Sequence, residues 1–268
     1  INIDLCNITN GEYDLINEYL VDQLNKKTKA RDAIAETFLF SVDLCPNANP
    51  SDIWHHIIYR KFLGASKGAD SGQSWRRTSG EALESFFAKY YNRLLLPNGI
   101  RLKHLIARTE KRRALVKMGL EAKIGDAKLD TILEGNKNGN WCIFGGAHIK
   151  ASFAERVSDD VPTSKAMMDL GYFSPILTLD VKSFPAPHGD FVNRGELGTP
   201  EKPSEKRKYI EEHGSFDNCY VYNTRSIPSQ EITNSGKYIY ILKFDCGNDR
   251  FVDDVIDFWK NYVKKKNN

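Results

Sequence analysis

The sequence predicts an α/β fold in which helices flank a central mixed β-sheet. The first third carries apolar residues at helical spacing, most clearly at residues 12–24 and 31–42. Aromatic-rich segments near residues 218–223 and 237–244 are typical of strands, and residues 253–265 predict a C-terminal helix. We therefore expect one domain, residues 1–268, with a helical N-terminal third (about 1–120) packed on a sheet formed by about residues 121–268.

Turn residues and periodicity place the other elements. Ser51 and Asp52 follow a Pro/Asn-rich turn and offer an N-cap for a helix at 53–63. A polar loop at 64–72 precedes a helix opening at 78–80, whose apolar stripe comprises Leu83, Phe86, Phe87, Tyr90 and Tyr91. The middle of the chain predicts strands at 129–134 and 141–152, a helix at 162–170, a strand at 174–181 and a long loop at 184–203.

Composition sets broad limits on function. Hydrophobic residues make up 41% of the 268 residues, enough for a sizeable core. The net charge of +3 does not by itself indicate a nucleic-acid binder. Basic clusters at 26–31, 101–117, 202–208 and 264–266 are either DNA-facing surfaces or solvated helix faces.

The five cysteines are widely spaced, and none forms a CxxC pair, which argues against a structural zinc site. There is no apolar run of roughly 18 residues and no signal-peptide pattern at the start of the sequence. These features predict reduced thiols in a cytoplasmic bacterial protein.

Several residues suit metal-dependent phosphodiester hydrolysis, which uses carboxylates to hold Mg²⁺ and a cation near the attacked phosphate. Asp130 lies on one predicted strand and Lys150 on the next, where His148 shares its face. Glu84 borders the apolar stripe of its helix and can reach inward. Spacing alone makes this a weak signal, because Asp180-Val181-Lys182 fits an acid-x-lysine pattern better than His148-Ile149-Lys150.

Simple hairpin pairing does not place Asp130 opposite Lys150 on the neighbouring strand. A turn centred near residues 137–138 pairs Asp130 with Gly145, well short of Lys150. An asymmetric loop, or a bulge at Gly145-Gly146, would be needed.

The polar stretch at 151–165 is a candidate base-reading segment. Arginine donates to guanine O6 and N7, and a carboxylate accepts from cytosine N4. Glu155 and Arg156 therefore suit neighbouring C and G, and the alternative interpretation is a surface ion pair.

Taken together, these stretches resemble the CCGG-reading type II restriction endonucleases of the PD-(D/E)xK superfamily. The similarity runs from about residue 31 to 240 and is most specific at 45–56, 74–84, 155–162 and 179–200. The resemblance implies a restriction-endonuclease-like core and a site-specific deoxyribonuclease. Its expected reaction is Mg²⁺-dependent cleavage of double-stranded DNA at a palindrome with a CCGG core, with ACCGGT as the expected site.

The resemblance also assigns residues. The family's metal-binding aspartate falls at Asp130, its catalytic lysine at Lys150 and its helix-borne glutamate at Glu84. Asp180 and Lys182 then become structural or DNA-contacting residues. The acidic residue usual two positions before the lysine is His148 here, so a later carboxylate is expected to complete the metal site: Asp160, with Asp159 as the alternative.

The family's base-reading motif, Arg-(Asp/Glu)-Arg, corresponds to Ala154-Glu155-Arg156. The resemblance implies that Glu155 accepts from cytosine and that Arg156 donates to guanine. Because Ala154 replaces the first arginine, another residue must supply one guanine contact, and Arg194 and Lys182 are the candidates.

A palindromic target implies a symmetric homodimer, at least on DNA, and a cognate DNA methyltransferase as genetic partner. The basic clusters are expected to contact phosphates, and the 184–203 loop to contact outer base pairs or the partner subunit.

Three other interpretations remain open. A repair or recombination nuclease of the same superfamily would share Asp130 and Lys150 without needing Glu155 and Arg156. A DNA-binding protein that has lost catalysis is the second. An unrelated α/β small-molecule enzyme is the third, although the sequence has no GxGxxG, P-loop or GxSxG motif.

Overall fold

A computed structural model of the chain describes residues 7–26, 29–65, 71–125, 129–153, 157–182, 192–245, 247 and 249–266. Its helices are α1 (Asn10–Asn25), α2 (Ala30–Leu44), α3 (Pro50–Asp52), a π-helical segment (Ile53–Tyr59), α4 (Arg60–Ala65), α5 (Ser71–Leu95), a 3₁₀ turn (Leu96–Asn98), α6 (Arg108–Met118), α7 (Val157–Asp169), α8 (Glu205–Glu211) and α9 (Arg250–Lys265). Its strands are β1 (Ile100–His104), β2 (Thr131–Lys137), β3 (Asn140–Gly146), β4 (His148–Lys150), β5 (Ile176–Thr178), β6 (Cys219–Val221) and β7 (Ile239–Ile241). The α/β prediction is confirmed.

The strands form an antiparallel sheet, β1-β2-β3, and a parallel sheet, β4-β5-β6-β7. A parallel bridge between Gly145 and Phe173 links them. The predicted mixed sheet therefore consists of an antiparallel part and a parallel part joined at this bridge.

The chain leaves one sheet and enters the other at Ala147, so the strand predicted at 141–152 is in fact two strands, β3 and β4. Gly145 and Gly146 allow the crossing. A Cβ at Gly145 would lie 2.5 Å from the Phe173 carbonyl oxygen, and one at Gly146 would lie 2.8 Å from Met167 Cε. The register shift falls where Leu133 pairs with Gly145 and Glu134 with Ile143. It skips Phe144 of β3, the residue directly before the Gly145-Gly146 bulge considered from the sequence.

Three local predictions in the N-terminal third need correction. Helix α5 begins at Ser71, before the predicted opening at 78–80, and the third predicted as helical also contains β1. The cap of α3 is Asn49, whose side chain accepts from the Ser51 backbone N–H. Asp52 does not cap because its buried carboxylate is paired with Arg225, 2.7 Å away.

Helix α5 organises the largest hydrophobic core. Its buried face, which contains Phe86, Phe87 and Tyr90, packs against Phe38 of α2 and against Phe244. Helix α5 also contacts β1 and β4. A residue at the edge of its apolar stripe therefore lies where the two sheets meet.

Within the described part of the chain, Cys45, Cys142 and Cys219 are free thiols. No helix in that part is long and apolar enough to cross a membrane.

Candidate active site

Lys150 and Asp160 form an ion pair at the junction of β4 and α7. Lys150 is the last residue of β4, and its Nζ lies 2.9 Å from Asp160 Oδ2. Asp160 is buried and Lys150 is partly exposed. Asp160 faces the sheet because the buried residues of α7 recur at helical spacing: Val157, Asp160, Thr163, Ser164 and Met167. Asp159 is exposed on the other side of that helix, so Asp160 is the better placed of the two alternatives.

Glu84 reaches the site from α5. Its Oε2 lies 2.9 Å from Nε2 of His104, the last residue of β1, and both side chains are largely buried. Burial raises the pKa of Glu84, the contact with His104 opposes that rise, and the charge of Asp130 adds to it. Lys150 lowers the same pKa. The charges of Asp130 and Lys150 therefore both act on Glu84.

Asp130 lies directly before β2, where its backbone carbonyl accepts from the Leu105 amide at 2.7 Å. Its carboxylate is paired with the ammonium of Lys111, which comes from α6. The Asp130 side chain is 32% exposed and that of Lys111 18%. This carboxylate is thus accessible but already neutralised by a protein cation.

His148 occupies the position where the acid-x-lysine pattern expects a carboxylate. Its Nε2 lies 3.1 Å from Ser174 Oγ, which in turn lies 2.7 Å from Ser164 Oγ of α7. Burial lowers the pKa of His148 to about 4, so the imidazole is neutral near pH 7. The residue therefore ties α7 to the sheet beneath Lys150 and adds no negative charge.

The donor chemistry of Glu84, Asp130 and Asp160 fits a hard divalent cation, which prefers carboxylate oxygens. Asp160 Oδ2 makes no well-formed hydrogen bond within the described residues, so its contact with Lys150 is an electrostatic one that leaves lone pairs available. Each carboxylate is in contact with a basic side chain: His104, Lys111 or Lys150. Among the described residues, no three His, Cys, Asp or Glu side chains are already grouped to hold an ion.

Asp180, the alternative aspartate, has a different environment. It is fully buried; its Oδ1 accepts from the Glu196 amide at 2.6 Å and its Oδ2 from Ser226 Oγ at 2.6 Å. Burial raises its pKa to about 7. These contacts hold the turn at Gly195, where an added Cβ would lie 2.2 Å from Asp180 Oδ2. This geometry fits the interpretation of Asp180 as a residue with a structural role.

Arg194 is exposed on the turn that Asp180 supports. The preceding Asn193 is buried and donates to Ser51 Oγ at 2.7 Å and to the Asp180 carbonyl at 3.0 Å. Lys182 is partly exposed shortly before the predicted 184–203 loop. Glu155, Arg156 and most of the first half of that loop lie outside the described residues.

Two residues of this site were not singled out from the sequence, His104 and Lys111. Lys111 belongs to the basic cluster at 101–117, but nothing in the local pattern indicates a partner 19 residues away.

The basic cluster at 202–208 contains a residue with a structural role, Arg207. It is fully buried and donates to Glu211 and to the carbonyls of Leu197, Gly198 and Ile227.

Comparison with known proteins gives consistent matches. Residues 105–245, just over half of the chain, match the family model "BsaWI restriction endonuclease type 2". The type II restriction enzyme AgeI of Thalassovita gelatinovora is 46% identical over 262 residues, covering 95% of this chain and 94% of that enzyme.

Two solved structures are also similar. The crystal structure of the specific AgeI–DNA complex matches with a TM-score of 0.89 at 46% identity, covering 94% of this chain and 93% of AgeI. The pre-specific BsaWI–DNA complex matches with a TM-score of 0.53 over 96% of this chain and 94% of BsaWI. At 17% identity the second match shows the fold alone.

Proposed function

The chain belongs to the type II restriction endonucleases of the BsaWI family, and from that premise we propose that it cleaves double-stranded DNA at a palindrome with a CCGG core. The expected full site is ACCGGT. The observation that carries the proposal is the 46% identity to AgeI, which extends across 95% of the chain. DNA is the partner of both similar solved structures.

The proposed catalytic residues are Glu84, Asp130, Asp160 and Lys150. Restriction endonucleases generally need divalent metal ions, and we propose Mg²⁺ held by the three carboxylates. When bound, the ion would act as a Lewis acid on the phosphate and lower the pKa of a water. The charges of Asp130 and Lys150 both act on the Glu84 carboxylate, which supports this assignment.

Lys150 stabilises the negative charge that develops on the phosphate oxygens. Its ion pair with Asp160 supports this role, because it holds the ammonium beside one of the proposed metal ligands. Neutral His148 sits beneath it, hydrogen-bonded to Ser174, and keeps the end of β4 fixed against α7. A rigid support of this kind keeps a charged group in place without repelling the anionic substrate.

We propose that Glu155 accepts from cytosine and Arg156 donates to guanine, and that Arg194 or Lys182 supplies the guanine contact that Ala154 cannot make. The exposure of Arg194 supports its candidacy, because the buried hydrogen bonds of Asn193 hold the turn that carries it. The basic residues exposed on α6 suit phosphate contacts: Arg112, Arg113 and Lys117.

A palindrome cut on both strands needs two active sites related by a two-fold axis, so the working form is a homodimer on DNA. An enzyme that cuts a short palindrome also endangers its host's own DNA. A cognate methyltransferase that modifies the same site is therefore the proposed genetic partner.

The test is to incubate the purified protein with plasmid DNA and Mg²⁺ and to sequence the ends. A Lys150→Ala variant serves as control for contaminating nucleases. Discrete ends at ACCGGT that are absent with the variant support the proposal. Ends at another palindrome would reject the proposed site, and cuts at random positions would reject site-specific cleavage.

A further inference from the structure

Lys111 contacts the proposed metal ligand Asp130 but has no part in the proposed reaction. It projects from α6, an element separate from the strands and helices that carry Glu84, Lys150 and Asp160. Its ammonium nevertheless pairs directly with Asp130 Oδ1. The pair is partly shielded from water, with the Lys111 side chain 18% and the Asp130 side chain 32% exposed.

Lys111 offsets part of the negative charge that Asp130 and Glu84 bring to the site. The carboxylates of Glu84 and Asp130 belong to one site, because Glu84 contacts His104, whose strand partner Thr131 directly follows Asp130. Two neighbouring carboxylates repel unless a cation neutralises them. A divalent metal ion would supply that cation, and in its absence the Lys111 ammonium does so.

An ammonium and a divalent ion that contact the same carboxylate repel each other, so binding of the ion favours withdrawal of the ammonium. The ammonium is a point charge on a flexible four-carbon stem, so it can move away without any shift of α6. Other basic residues of this helix, including Arg112 and Arg113, are exposed, so a displaced ammonium would join a surface suited to phosphates.

We propose that Lys111 is a positioning residue that holds Asp130 in the metal-free enzyme and that its positive charge opposes the binding of a divalent ion there, so that Lys111 sets the affinity of the site for metal. The inference rests on the proposed role of Asp130 as a metal ligand. It predicts that removing the ammonium strengthens metal binding.

The test is the rise in unfolding temperature of the DNA-free protein with increasing Ca²⁺, a hard cation with the same preference for oxygen ligands. Lys111→Met keeps the length of the side chain and removes its charge. Lys117→Met makes the same change at an exposed position on the same helix. Ionic strength is held constant with NaCl.

The expected result is that Lys111→Met reaches any given Ca²⁺-induced shift at about three- to tenfold lower Ca²⁺ than the unaltered protein. Lys117→Met should match the unaltered protein. An equal or weaker response of Lys111→Met, the same gain in both variants, or no shift in any protein overturns the inference.

An Asp130→Asn variant separates this inference from the proposed function. If Asp130→Asn keeps the full Ca²⁺ shift, Asp130 is not the ligand and the proposed metal site is wrong. If Asp130→Asn loses the shift while Lys111→Met behaves like the unaltered protein, the metal site stands and only the role of Lys111 fails.

Discussion

Two combinations of an aspartate with a lysine suit the proposed chemistry: Asp130 with Lys150, and Asp180 with Lys182. Lys150 ends β4 and is proposed to act with Asp130, whereas Asp180 and Lys182 follow β5, the parallel neighbour of β4. Asp130 and Lys150 are both partly exposed, and each is in contact with a side chain of opposite charge. In the second pair, Asp180 is fully buried and its carboxylate accepts from a backbone amide and a hydroxyl.

The comparison shows that the acid-x-lysine pattern does not by itself make a site. Carboxylates that bind metal must stay charged and reachable, and those buried among neutral donors hold the backbone instead. The sequence pattern favours Asp180 and Lys182, and the environment favours Asp130 and Lys150.

The largest expected effect contrasts the two aspartates in catalysis. Asp130→Asn removes a proposed metal ligand and should lower the cleavage rate about a thousandfold or more. Asp180→Asn retains an oxygen for the Glu196 amide and should cleave within about tenfold of the unaltered enzyme. Plasmid cleavage with Mg²⁺ measures both, and a larger loss in Asp180→Asn would reverse the assignment.

Substitution of Arg207 tests whether the region beyond β5 is a structural scaffold, by its effect on the free energy of unfolding. Arg207→Ala removes a buried guanidinium that donates to Glu211 and to four carbonyls, so the free energy of unfolding should fall by about 3–5 kcal/mol. Lys208→Ala, next along the chain and paired with the exposed Glu205, should leave the free energy of unfolding nearly unchanged. Urea unfolding compares the two, and equal effects would argue against the scaffold.

The pH dependence of stability tests the environment of Asp180. Its pKa is about 7 in the folded protein and near 4 when unfolded, so between these values the folded state binds the extra proton. Protonation of Asp180 therefore stabilises the folded protein fully below about pH 4. This stabilisation is lost as the pH rises to about 7, and the total loss is at most about 4 kcal/mol. Urea unfolding across this range should show the decline relative to Asp180→Asn, and parallel profiles would contradict the buried assignment.

The smallest expected effect concerns Arg194. If it reads guanine, Arg194→Ala should reduce discrimination against the wrong base by about 1–3 kcal/mol. Lys202→Ala removes an exposed charge beyond the same turn and should weaken binding to all sequences alike. Competition binding with single-base-pair variants of ACCGGT distinguishes these outcomes, and a uniform loss with Arg194→Ala would make it a phosphate contact.

The sequence predicts the parts of the fold that depend on local periodicity. Helices α1, α2 and α9 and the α/β class follow from it, and the family resemblance supplies the proposed roles of Glu84, Asp130 and Lys150. The break between β3 and β4 is not predictable locally, because it depends on Phe173, 28 residues after Gly145. The contacts of Asp130 with Lys111 and of Glu84 with His104 cannot be predicted locally either, because each joins residues that are distant in the sequence.

The most direct test of the active-site assignment is single-turnover cleavage of an ACCGGT duplex by Lys150→Ala and by Lys182→Ala, with DNA binding measured alongside. We predict that Lys150→Ala still binds the duplex but cleaves it about a hundred- to a thousandfold more slowly. Lys182→Ala should keep the rate of the chemical step within about tenfold. Retained cleavage by Lys150→Ala together with loss of cleavage by Lys182→Ala would contradict the assignment.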